Sequence, residues 1–139
     1  MLRIELGDWE SMRQWAAPIR LAVFVDEQKV PADMELDEWD PKSVHAVAFD
    51  ANRAVLGTGR LLPDGHIGRM AVISAARGAG VGSALLLALM QEARRCGHAA
   101  AVLSAQTQAI PFYRRHGYEV SGIEYMDAGI PHVDMRCVL

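Results

Sequence analysis

The sequence predicts an α/β (α+β) fold, a mixed and mostly antiparallel sheet with helices on both faces. Short segments that alternate apolar and polar residues, or run apolar, are bounded by turn residues and read as strands. Two helical stretches each close on a glycine, Gly97 and Gly117, the residue that takes the left-handed cap conformation most easily. An extended segment at 66–72 also runs into a glycine-rich loop at 77–83, and that loop opens the first of the two helices. A chain of 139 residues can bury one core, and it reads as a single domain over 1–139.

Leu2-Arg3-Ile4-Glu5-Leu6 alternates like a strand, placed at about 2–6. Asp8 then caps a helical region running to about residue 26, which Pro18 is expected to divide by removing a hydrogen bond and crowding the preceding turn. Residues 29–42 hold two prolines and several acids and read as a loop. Val44–Asp50 and Ala54–Leu62, joined by Ala51-Asn52-Arg53, read as an antiparallel hairpin. Pro63-Asp64-Gly65 turns the chain into the strand at 66–72. A helix at about 81–96, a strand at 99–104 and a helix at about 107–116 follow. Strands near 118–125 and 132–138 end the chain.

The loop Arg77-Gly78-Ala79-Gly80-Val81-Gly82-Ser83 carries the strongest chemical signal. Glycines let backbone approach a ligand, the first turn of a helix offers unpaired N–H groups to an anion, and Arg77 adds a cation. A Walker A loop is excluded because no lysine precedes Ser83. A dinucleotide fingerprint is excluded by the G-x-G-x-G spacing and by the absence of an acid in the strand at 99–104. The pattern Val72-x-x-x-x-Arg77-Gly78-x-Gly80-x-Gly82 resembles the acetyl-CoA-binding motif of the GNAT acetyltransferases, with Ser74 in place of the usual proline. The resemblance implies that residues 77–83 cradle the CoA pyrophosphate.

Phe112-Tyr113, three residues, then Gly117-Tyr118 resembles the second signature of that family. It implies that Tyr113 protonates the departing CoA thiolate, and a phenol of ordinary pKa near 10 keeps its proton for that purpose. Gln106 stands where relatives carry an asparagine and is expected, with Phe112, to contact CoA. The resemblance also implies a splay between the strands at 66–72 and 99–104, with a bulge on the first. The backbone of Met70, Ala71 and Val72 is then expected to hold pantetheine and to steady the thioester carbonyl.

The N-terminal third, with Glu27, Gln28 and the run Glu35-x-Asp37-x-x-Asp40, is similar to a bacterial subgroup of the family whose substrates are poorly defined. Asp26, Glu27, Asp33, Glu35, Asp37, Glu38 and Asp40 face only Lys29 in that stretch, and such a rim would attract a cationic amine. Glu27 and His132 are the candidate bases. Gln28, His45, Arg60 and Arg69 join them as candidate acceptor contacts.

Composition narrows the partners. A net charge of −3 without a basic stripe argues against nucleic acid, and no apolar run approaches the ~20 residues of a membrane span. The N-terminus lacks the apolar core of a signal peptide, so a cytoplasmic location is expected. Cys96 and Cys137 show no paired spacing, and the histidines show no ligand spacing, so neither disulfide nor metal is expected. A homodimer is one assembly left open. The leading reading is an acetyl-CoA-dependent N-acetyltransferase that hands acetyl to the amine of a small molecule or aminoacyl group by direct attack. Arg20, Phe24 and the acids at 35–40 also resemble the acyl-homoserine lactone synthases, and a non-catalytic CoA-binding module remains a third reading.

Overall fold

Alternation along one strand builds two cores in this molecule. The computed structural model describes residues 2–139, apart from the side chain of Met34. Val44–Phe49 (β2) lies between Arg3–Gly7 (β1) and Val55–Leu61 (β3), antiparallel to both, and Ile67–Val72 (β4) completes this sheet in the order β1-β2-β3-β4. Ala46 and Ala48 of β2 enter one core, and Val47 and Phe49 enter the other. A strand covered on both faces loses the polar half of its pattern, which explains why β2 is buried along nearly its whole length.

Helix α1 (Trp9–Arg20) covers the second face with Met12 and Ala16. Its Asp8 cap accepts from Ser11 N–H at 2.9 Å, as the sequence indicates. Pro18 does not divide the region. The α-helix continues through it to Arg20 and then widens into a π-helical segment, Leu21–Glu27. The missing proline N–H makes no break, and the change of hydrogen-bond pattern begins three residues later. The expected loop at 29–42 also contains two short helical turns, α2 (Ala32–Glu35) and Asp40–Lys42.

Helix α3 (Val81–Arg95) covers the first face with Leu85, Leu86, Leu89, Met90 and Ala93. A second sheet follows, in which Ala100–Gln106 (β5) pairs with Ile130–Val138 (β8), and β8 also pairs with Glu119–Val120 (β6) and Tyr125–Asp127 (β7). The single strand expected at 118–125 is therefore two short ones, and the last strand starts at Ile130 rather than 132. Asp127 pairs with Ile130 across a two-residue turn, Ala128-Gly129, with φ of 52° and 77°. Two positive φ values make the tight turn whose twist suits a hairpin. The helix expected at 107–116 begins as a 3-10 turn, Thr107–Ala109, before α4 (Ile110–Arg115).

The two sheets touch through one parallel bridge, His66 to Val102. Beyond it β4 and β5 part, as the resemblance implies. The register of β3 against β4 shifts between Thr58 and Arg60, so that Gly59 faces both Arg69 and Met70, and Arg69 takes φ of 47°. That extra residue is a β-bulge on β4, and a bulge bends its strand away from the ladder it would otherwise continue. No helix among the described residues is long and apolar enough to cross a membrane.

Candidate active site

One mouth of the gap is the glycine loop. Strand β4 ends at Val72, Ser74–Ala76 makes a 3-10 turn, and α3 opens at Val81. Gly78 and Gly80 have φ of 81° and 83°, and a Cβ on either would meet nothing within 4 Å, so these positions need glycine for backbone conformation rather than for room. The first hydrogen bond of the helix runs from Ala84 N–H to Gly80 O, which leaves the preceding N–H groups to a ligand. The loop borders a cavity of about 410 Å³ together with Val72, Ala76, Phe112 and Arg115. An open, glycine-lined cradle at the N-terminus of a fifteen-residue helix fits a pyrophosphate.

Arg77 is placed differently from its expected role. Its two terminal nitrogens lie 2.6 and 2.7 Å from the Glu27 carboxylate, and its Nε lies 3.0 Å from Val72 O. The hydrogen bond from Arg77 holds the Glu27 carboxyl below the usual range. Glu27 therefore does not turn inward to receive an acceptor. It reaches across the surface to the loop.

The other mouth is a cavity of about 400 Å³ between β4, β5, the π-helical segment and the β7–β8 hairpin. Among the expected site residues, Gln28, Arg60, Arg69, Met70, Gln106, Tyr113 and His132 all border it. Ala71 points into the core at 3% exposure. Ile73 N–H bonds Leu56 O at 3.0 Å, and the alternation of an antiparallel ladder then turns Val72 N–H away from β3 and towards the gap.

Burial alone pushes the Tyr113 phenol up to about 12, so it keeps its proton at any physiological pH. Its ring packs edge-on against Phe112 and Tyr118, with centroids 5.1 and 5.8 Å away. His132 Nδ1 lies 2.7 Å from Ile130 O. A carbonyl only accepts, so Nδ1 carries a proton, and in the neutral ring Nε2 is the nitrogen with the lone pair. The imidazole stacks on Tyr125, whose hydroxyl bonds Asp134 at 2.8 Å and also Ser104. Gln106 donates to Gln28 Oε1 at 2.8 Å, linking β5 to the end of the π-helical segment.

His45 lies elsewhere. It is 1% exposed, its Nε2 donates to Asp40 O at 2.9 Å, and desolvation pushes its pKa down, which makes it a neutral structural residue. The acidic rim is not a free negative surface either. Arg20, 1% exposed, bonds Glu35 and Asp40 at 2.7 Å each. Arg60 bonds Asp37 at 2.7 Å and Asp40 at 2.9 Å, and Arg69 reaches Asp37 at 3.2 Å and Glu35 O at 3.0 Å. Burial pushes the Asp37 and Asp40 carboxyls up, but bonds from Arg60 and Arg20 outweigh it and hold both below the usual range. Two buried atoms of this network, Glu35 Oε2 and Arg60 Nε, have no hydrogen-bond partner among the described residues, and both side chains border the cavity.

Residues 13–139 match the family described as acetyltransferase (GNAT) domain. The chain belongs to the GNAT family. The uncharacterized N-acetyltransferase YjcF of Bacillus subtilis is 46% identical over 121 residues, covering 84% of this chain and 86% of that protein. The structure is similar to an acyl-CoA N-acyltransferase from Pseudomonas aeruginosa, with 30% identity, a TM-score of 0.88 and coverage of 99% and 100% of the two chains. It shares its fold, at 16% identity and a TM-score of 0.76, with the acyl-homoserine lactone synthase BjaI, covering 98% and 82% of the two chains. The chain is thus an acyltransferase of the N-acetyltransferase type, in a family that draws its acyl group from acetyl-CoA or another acyl-CoA. Three site features of this GNAT protein escape its sequence motifs. They are the Arg77–Glu27 clamp, the arginine–carboxylate network and Arg115 at the cradle. Only the network left a sequence trace, the Glu35-x-Asp37-x-x-Asp40 spacing, and nothing in that spacing names its arginine partners.

Proposed function

We propose that this GNAT protein transfers acetyl from acetyl-CoA to the amine of a small molecule or aminoacyl group, by direct attack while both substrates are bound. The observation that carries the reading is the meeting of Tyr113, His132 and the bulged segment of β4 around one cavity, with the glycine cradle at the far side of Val72. His132 Nε2 takes a proton from the acceptor ammonium, which frees the nitrogen lone pair. Val72 N–H donates to the thioester oxygen as negative charge grows there. As the new C–N bond forms, the nitrogen loses its second proton to solvent, and as the C–S bond breaks, Tyr113 gives its proton to the sulfur and regains one from solvent. Products are the N-acetyl amide and free CoA thiol.

A thiol-release screen tests the reading. Acetyl-, butyryl- and longer acyl-CoAs are offered with amino sugars, polyamines, amino acids, aminoglycosides and peptide N-termini. Release with acetyl-CoA and at least one amine class is the expected result. Preference for long acyl chains moves the protein towards the lactone-synthase-like reading, and silence across the panel favours a binding module.

A further inference from the structure

Arg77 is the cation that the loop motif offers to a pyrophosphate, yet its fork is already closed on Glu27 at 2.6 and 2.7 Å, and its Nε on Val72 O. A guanidinium held in a bidentate pair brings little net charge to a second anion. A different cation borders the same cradle. Arg115, in the last turn of α4, lines the cavity with Gly78, Gly80, Gly82 and Ser83. Its guanidinium carbon stands 5.9 Å from the centroid of the Phe112 ring, and Arg115 forms no ion pair among the described residues. Phe112 in turn packs over the loop, for a Cβ at Gly82 would lie 3.5 Å from Phe112 Cζ. The Phe112 ring thus forms a shelf that carries an uncommitted guanidinium to the edge of the anion cradle.

We infer that Arg115, not Arg77, supplies the side-chain charge that binds the CoA pyrophosphate. Arg77 is a positioning residue that ties the π-helical segment, through Glu27, to the end of β4. The inference rests on the acetyl-CoA reading above. It also assigns Glu27 a purpose, since that carboxylate neutralises the loop arginine and leaves the anion to Arg115 and the backbone.

Calorimetric titration with CoA and with 3′-dephospho-CoA, at low and moderate salt, tests it. Arg115→Gln is expected to raise Kd about tenfold for both ligands and to flatten the salt dependence, as loss of one charge-assisted contact does. Arg115→Lys keeps part of the affinity. Glu27→Gln releases Arg77 and lowers Kd severalfold. Arg115 is exposed, and an unchanged thermal melt of Arg115→Gln confirms that its fold is intact. Wild-type affinity in Arg115→Gln overturns the inference, as does a loss that vanishes with 3′-dephospho-CoA, because the contact is then to the 3′-phosphate. No binding of either ligand by the wild type overturns the acetyl-CoA reading instead.

Discussion

Tyr113 and His132 border one cavity, and on the reading proposed above they are its acid and its base. Burial keeps the phenol protonated, and the Ile130 carbonyl fixes a proton on Nδ1 of the imidazole. Tyr113→Phe is expected to lower kcat about tenfold or more with chemistry rate-limiting, while KM for acetyl-CoA stays within about twofold. With the phenol at about 12, kcat should show no downturn from Tyr113 up to about pH 10, and a basic limb near pH 8 would contradict that burial. The sequence made the placement of Tyr113, Gln106 and the glycine loop at the two cavities legible, because it depends on spacing along one strand, loop or helix. Glu27 was not legible. Its direction depends on Arg77, 50 residues away, and no local pattern reports whether a carboxylate after Val23-Phe24-Val25 turns in or out.

Among the elements, the misread boundaries lie where a special backbone conformation replaced a break or a continuation. The helix runs through Pro18 and widens into π-geometry only at Leu21, and the left-handed pair Ala128-Gly129 makes a tight hairpin. An alanine at φ of 52° carries strain that glycine does not, so Ala128→Gly should stabilise the protein by up to about 1 kcal/mol, a rise of about 3 °C in Tm. A fall in Tm would show that the hairpin does not hold that turn. The segment 32–42 folds because its carboxylates find arginines. Asp37 and Asp40 are held below their unfolded value, so their stabilisation is fully present above about pH 4 and is lost as pH falls through the lowered folded values. Urea midpoints between pH 6 and pH 2.5 should fall at the acid end, less steeply in Asp40→Asn. A flat profile for the wild type contradicts the pairing.

For the whole molecule, the proposed function rests on the gap between two sheets that, among the described residues, share one bridge. On that reading, the end lined by the glycine loop takes the anion and the cavity at the other end encloses the chemistry. The resemblance to the GNAT motifs implied the gap. The network beside it was not legible, because no spacing in the sequence pairs Arg20, Arg60 and Arg69 with Glu35, Asp37 and Asp40 until the fold brings them together. Removing one partner of a buried pair strands the other charge, so Arg20→Ala should cost about 3–5 kcal/mol, measured by denaturant unfolding. The most direct measurement of the central claim follows free thiol during incubation with acetyl-CoA alone and then after an amine from the active class is added. Direct attack at the Tyr113–His132 cavity predicts no stoichiometric thiol before the amine and steady release after it, with amide formed in equal amount. One equivalent of thiol per protein before any amine, or none after every amine, would contradict it.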